Sequence, residues 1–260
     1  MADTVLAPST VAAASCHWPR WRVVLIRVWA GLLTVAALIM AQGIMIIGSA
    51  HADEHFMYAS STVWKLLSLG GVAVVMWTAG RNVAAYWAIA IGQLVWGVAG
   101  LLAPQSDGNS ALLSLVNLTL LYGPLVALRP RRRELLRPNM RVNSRLLALA
   151  LIASIALISH AIRLPRHLSG ELAFDMVGLY LMLGAMALFA ALQPRGGRFL
   201  GRFVGAAAVL TGIAAIAYPH DAASVGHIGG ALLIIGGSAF AAIERKEQQR
   251  VTRTDPDKAA

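Results

Sequence analysis

The chain has 260 residues, of which 58% are apolar and only 13% charged, and its formal net charge is +10. Soluble domains carry about 25% charged residues, so this composition excludes an ordinary water-soluble enzyme or binding domain. Nor does the positive charge read as a nucleic-acid footprint, because the basic residues flank apolar stretches and form no stripe on a folded face.

Residues 1–22 lack the charged start and apolar run of a cleaved signal peptide and are expected to form a disordered cytoplasmic tail. Cys16 is the only cysteine, so no intramolecular disulfide can form. Eight apolar stretches follow, each near the roughly 20 residues that a helix needs to cross a bilayer. The first covers 23–47, with Trp18 and Trp21 as interfacial anchors and Arg27 close enough to the end to snorkel toward headgroups. The second covers 61–78, the third 82–102 and the fourth 111–128. A basic connector spans 129–144, in which Arg131, Arg132, Arg133 and Arg137 face only Glu134; anionic lipid headgroups are its expected counter-charge. The fifth stretch covers 145–162, the sixth 172–192, the seventh 199–218 and the eighth 223–243. The charged tail 244–260 lacks apolar periodicity and is expected to be disordered. Backbone polar groups must be paired within lipid, and these runs are too long for barrel strands. The predicted fold class is therefore all-α, a polytopic membrane helical bundle with eight transmembrane helices.

Between the stretches, polar residues sort by type. Of 22 Lys and Arg, only Lys65, Arg163 and Arg166 lie in or beside the gaps holding His51, His55, His160, His167, His220 and His227. The positive-inside rule then puts both termini, the Arg81 turn, 129–141 and 195–202 in the cytoplasm. The gaps 51–60, 104–110, 163–171 and 219–222 face outward, with Arg163 and Arg166 as the exceptions. Arg outnumbers Lys 19 to 3, a bias associated with GC-rich bacterial genomes, so a bacterial plasma membrane is the expected location.

The two halves resemble each other. Gly97-Val98-Ala99-Gly100-Leu101-Leu102-Ala103-Pro104 matches Gly212-Ile213-Ala214-Ala215-Ile216-Ala217-Tyr218-Pro219, and an acidic residue follows each proline. Residues 23–128 and 145–243 thus read as two four-helix membrane units, a 4+4 repeat in the same orientation about an axis along the membrane normal. The second and sixth helices then occupy equivalent places, and each carries one charge about one turn inside its outer end, Lys65 on the second and Asp175 on the sixth. Opposite charges at that depth predict an ion pair across the repeat interface; the alternative is that each snorkels to the headgroups. Four-residue glycine spacing at Gly226 and Gly230, and at Gly201 and Gly205, predicts close helix contacts and an eighth helix packed inside the bundle. Gln42, Gln93, Asn117 and Thr119 either line a pathway or hydrogen-bond between helices, the second being the default expectation.

The sharpest chemical element is His51-Ala52-Asp53-Glu54-His55. It resembles the H-x-x-E-H element of inverted zinc peptidases, in which two histidines one turn apart hold zinc and the glutamate is the base. The resemblance covers these five residues. It implies zinc or another transition metal on His51 and His55, a third ligand from His160, His167, His220, Asp221 or His227, and Glu54 as the catalytic base. A hydrated polar outer loop, packing histidines or a short lid would use the same residues without metal. Gly226-His227-Ile228-Gly229-Gly230 resembles the histidine-bearing helix of rhomboid proteases. Those enzymes also need a G-x-S-G serine, and the only Ser-Gly pair, Ser169-Gly170, follows Leu168. A rhomboid mechanism is therefore excluded, and His227 is expected to be a buried or interfacial polar contact. No phosphate-binding glycine loop and no cysteine pair for a metal cluster occurs.

Three functional classes follow. The first is a non-catalytic integral membrane protein, either a small-solute or ion carrier or an accessory subunit bound to a membrane-protein partner in an envelope complex. The second is a membrane-embedded metal-dependent hydrolase with its His/Glu site at the outer face. The third is an outer-face metal or pH sensor, since histidine titrates near neutrality.

Overall fold

The computed structural model describes residues 19–49, 55–102, 122–128, 142–164, 171–192 and 197–254, together with residues 116, 119 and 140. The helices are α1 (Arg20–Ser49), α2 (His55–Trp77), α3 (Val83–Leu102), the short α4 (Gly123–Leu128), α5 (Ser144–Arg163) and α6 (Glu171–Ala191). A 3-10 turn (Gly197–Phe199), α7 (Leu200–Ala217) and α8 (Gly226–Thr254) complete the bundle. Among the described residues, α3, α5, Phe174–Ala191 of α6, α7 and Gly226–Lys246 of α8 are long and apolar enough to cross a membrane. Ile152, Ile155, Ile228, Leu232 and Ile235 stand exposed on α5 and α8, more apolar surface than a water-soluble monomer leaves bare. These helices suit a lipid bilayer and are compatible with a multi-pass membrane protein.

Local chemistry sets several boundaries. Asn143 caps α5, its side chain accepting from the backbone N–H groups of Arg145 and Leu146, as an N-cap asparagine should. At the end of α2, Gly80 donates its N–H to the Val75 carbonyl and Ala79 donates to that of Met76. Both residues have positive φ, 51° for Ala79 and 76° for Gly80. This paired closure is a Schellman cap. Asn82 then starts α3, its Oδ1 accepting from the N–H of Ala85.

Two helices differ from their expected limits. α2 begins at His55, not near residue 61, so much of the outer gap expected at 51–60 is helical. Phe56, Met57 and Ser60 are buried there, and that tertiary burial holds the extra turns. α8 runs through Thr254 instead of ending at residue 243. Its extension is rich in Glu, Lys, Gln and Arg, all good helix formers, so the lost apolar pattern ends the membrane-like stretch but not the helix. The expected fourth span, 111–128, lies mostly outside the described residues, as do the tail 1–18 and most of the connector 129–141.

α2 and α6 form the centre. α2 packs against α1, α3, α6 and α7, and α6 packs against α2, α3, α5 and α7. α1 also touches α4, α5 touches α8, and α7 pairs extensively with α8. α6 carries much of the core, with Met176, Leu179, Tyr180, Met182 and Leu183 buried.

The expectation that the eighth helix lies inside the bundle is corrected: α8 packs on α7 and α5 and shows its remaining face to the outside. The glycine spacing that matters is seven residues. A Cβ on Gly205 would lie 2.6 Å from the Gly237 carbonyl oxygen, and one on Gly212 would lie 2.6 Å from that of Gly230. Two antiparallel helices meet on one face every two turns, so glycines recurring at that interval let the backbones touch twice. Gly201 instead makes room for the Glu244 carboxylate.

Candidate functional site at the histidine-bearing end

α2, α6 and α8 start at one end of the bundle, and α1, α3, α5 and α7 finish there. His55 is the first residue of α2, and its ring stands edge-on to Tyr218 beyond the end of α7, with centroids 5.2 Å apart. His160, in the last turn of α5, stands edge-on to Tyr180 of α6 at 4.9 Å. Both side chains converge on one backbone atom. The Tyr180 hydroxyl donates to the Ala223 carbonyl at 3.0 Å, and His160 Nε2 lies 3.5 Å from the same oxygen. A donor role for that nitrogen requires the Nε2-protonated tautomer, which leaves Nδ1 as an acceptor.

Ala223 is fully buried because the turn between α7 and α8 folds into the bundle. The N–H groups of Asp221 and Ser224 donate to Tyr218 and Asp221 carbonyls, and Asp221 Oδ1 accepts from the N–H of Ala223. Ser224 donates through Oγ to the Ala215 carbonyl and accepts from the N–H of Gly226. Gly226, at φ 69°, then turns the chain into α8, a conformation that favours glycine.

The remaining expected ligands divide. His220 and His227 are exposed at the rim, so of the two placements expected of His227, buried or interfacial, the buried one is not seen. His51, Glu54 and His167 lie outside the described residues. Among the described residues no three of His, Cys, Asp and Glu gather where they could hold one metal ion. Arg163, an exception to the arginine sorting, sits with His160 in the last turn of α5, where a cation offsets the negative end of the helix dipole.

Comparison with known protein families, with curated proteins and with solved structures finds no match. The reading therefore rests on the residues alone.

Deeper in the bundle a second set of polar groups was only partly visible in the sequence. Of the four uncharged polar residues singled out there, Gln93 is buried and donates through Nε2 to the Tyr122 hydroxyl at 3.5 Å. Thr119 is exposed, and the side chains of Gln42 and Asn117 lie outside the described residues. Ser60, Ser154 and Thr211 are buried as well. Ser154 donates to the Gly184 carbonyl at 3.0 Å, tying α5 to α6. Ser60 Oγ and Thr211 Oγ1 are buried with no hydrogen-bond partner among the described residues. Such hydroxyls cost about 1–3 kcal/mol each if left dry, which marks the α2–α7 side of the bundle as a place where a polar guest or water is favoured. Asp175 is half-buried near the start of α6; the Lys65 side chain lies outside the described residues.

Proposed function

We propose that the chain is a multi-pass membrane protein of two same-orientation four-helix units, working as a small-solute or ion carrier along the α2–α6 axis. The observation that carries this reading is the pattern of helix neighbours. Exchange α1 with α5, α2 with α6, α3 with α7 and α4 with α8. The α1–α2 contact then becomes α5–α6, α2–α3 becomes α6–α7, α2–α7 becomes α6–α3, α1–α4 becomes α5–α8, and α2–α6 maps onto itself. Four pairs of neighbour relations correspond under this exchange, which favours duplication, whereas the extensive α7–α8 contact has no α3–α4 counterpart of that extent among the described residues. Duplication also accounts for why the second and sixth helices are central.

In carriers built from repeats, the substrate site lies at the repeat interface. The register that aligns Gly97 with Gly212 and Pro104 with Pro219 aligns Ser60 with Asp175, on the two axial helices. An intramembrane carboxylate suits a proton or small cation, because ionisable groups inside a membrane mark ion and proton paths. The sorting of arginine from histidine supports a bacterial plasma-membrane location with both termini cytoplasmic and the histidine-bearing end outside.

Purified full-length protein in vesicles holding a pH-sensitive dye, under an imposed potassium-diffusion potential, tests the carrier reading. Wild-type vesicles should acidify several-fold faster than protein-free vesicles, and Asp175→Asn should return the rate to the protein-free level. Wild-type flux equal to that of protein-free vesicles would overturn the carrier reading in favour of an accessory subunit.

A further inference from the structure

Gln93 lies midway along α3, at a depth where a polar group without a partner is costly. Its side chain is only 6% exposed. Nε2 donates to the Tyr122 hydroxyl at 3.5 Å, while Oε1 is buried with no hydrogen-bond partner among the described residues. Tyr122 accepts that bond, which leaves its own O–H as a donor. One acceptor and one donor thus stand side by side. Turned the other way, the amide would accept from Tyr122 and strand its N–H groups, so a polar atom is left over in either orientation.

The backbone at Tyr122 is irregular. Thr119 and Tyr122, just before α4, are wound as π-helix, a rare winding that recurs at functional sites. Pro124, two residues on, has no N–H to give to a helical ladder, a local cause for the wider turn. Beside Tyr122 there is room, since among the described residues nothing lies within 4 Å of a Cβ placed on Gly123.

The second half of the chain closes the same place. The register that aligns Gly97 with Gly212 pairs Gln93 with Ala208 and Tyr122 with Gly237. Those two residues also meet, a Cβ on Gly237 lying 2.9 Å from that of Ala208. Where α7 and α8 touch through small residues, the first half holds an amide and a phenol. This comparison rests on the proposed duplication; the polar pair itself does not.

We infer that Gln93 and Tyr122 form a binding site for a small neutral solute carrying adjacent hydrogen-bond donor and acceptor groups, as a primary amide does. Such a guest accepts from the phenol O–H and donates to the amide oxygen, and it satisfies the reversed amide equally well. An ion is disfavoured, because neither side chain carries a charge to offset its desolvation.

Nuclear magnetic resonance of the full-length protein in detergent, isotope-labelled in its glutamine side chains, tests this with acetamide as the probe. The Gln93 signal is the one missing from Gln93→Asn. It should shift saturably with acetamide and stay in place with ammonium chloride over the same range. Tyr122→Phe removes one of the two bonds to the guest and should raise the half-saturating concentration about fivefold. If no glutamine side-chain signal of the wild type moves with acetamide, the inference is overturned without recourse to a variant, and contact with water alone is that outcome. An equal shift with ammonium overturns the neutral class, and an unchanged half-saturation in Tyr122→Phe overturns the pairing. Proton flux does not enter this measurement, so its failure and that of the carrier reading are distinguishable.

Discussion

Tyr180 and His160 share one acceptor, and this arrangement could not be read from their positions in the chain. The Tyr180 hydroxyl is the closer partner of the Ala223 carbonyl, and all three groups lie away from the outside of the bundle. Tyr180→Phe should cost about 1 kcal/mol, seen as a fall of a few degrees in the thermal unfolding midpoint in detergent. An unchanged midpoint would mean that His160 or water replaces the bond in full. The charge sorting and span lengths put His55 and His160 at helix ends on one side of the bundle, where the structure has them. The sequence did not reveal Tyr180, Ser60 or Thr211, because a lone hydroxyl within an apolar run leaves no periodic signal.

Among the elements, α7 and α8 show how the same residues support two different readings. Four-residue glycine spacing pointed to Gly201, Gly205, Gly226 and Gly230, whereas the close backbone approaches run through Gly205 with Gly237 and Gly212 with Gly230. Gly205→Ala and Gly212→Ala should each destabilise the purified protein by about 1–3 kcal/mol, because the new methyl meets backbone that cannot move aside cheaply. Gly236→Ala is the contrast: among the described residues nothing lies within 4 Å of a Cβ at that position, and alanine is the better helix former. Denaturant unfolding in detergent should rank the first two below wild type and the third at or above it; three equal midpoints would contradict the packing. Sequence spacing names the glycines available for contact, while the partner helix and its direction decide which of them are used.

At the scale of the whole molecule, the central question is whether charge crosses between the halves. α2 and α6 pack together, and Lys65 and Asp175 lie on them. If the two charges pair between α2 and α6, the losses from Lys65→Ala and Asp175→Ala should fall short of additivity in the double variant by about 0.5–3 kcal/mol. Additive losses would mean that each charge snorkels to the headgroups on its own. The unfolding midpoint of the four proteins in one detergent gives the comparison.

By itself the sequence determined the all-helical class, the suitability of its long apolar helices for a bilayer, and the sorting of arginine from histidine between them. Those properties depend on hydropathy, length and charge, which are sums over local residues. Only the tertiary structure decided that α2 and α6 are central, that α8 is peripheral, and that the α7–α8 turn sinks in to meet Tyr180. In a bilayer every helix face is apolar whether it meets lipid or protein. Hydrophobic pattern therefore cannot tell an inner helix from an outer one, and the choice falls to shape, small residues and a few buried hydrogen bonds.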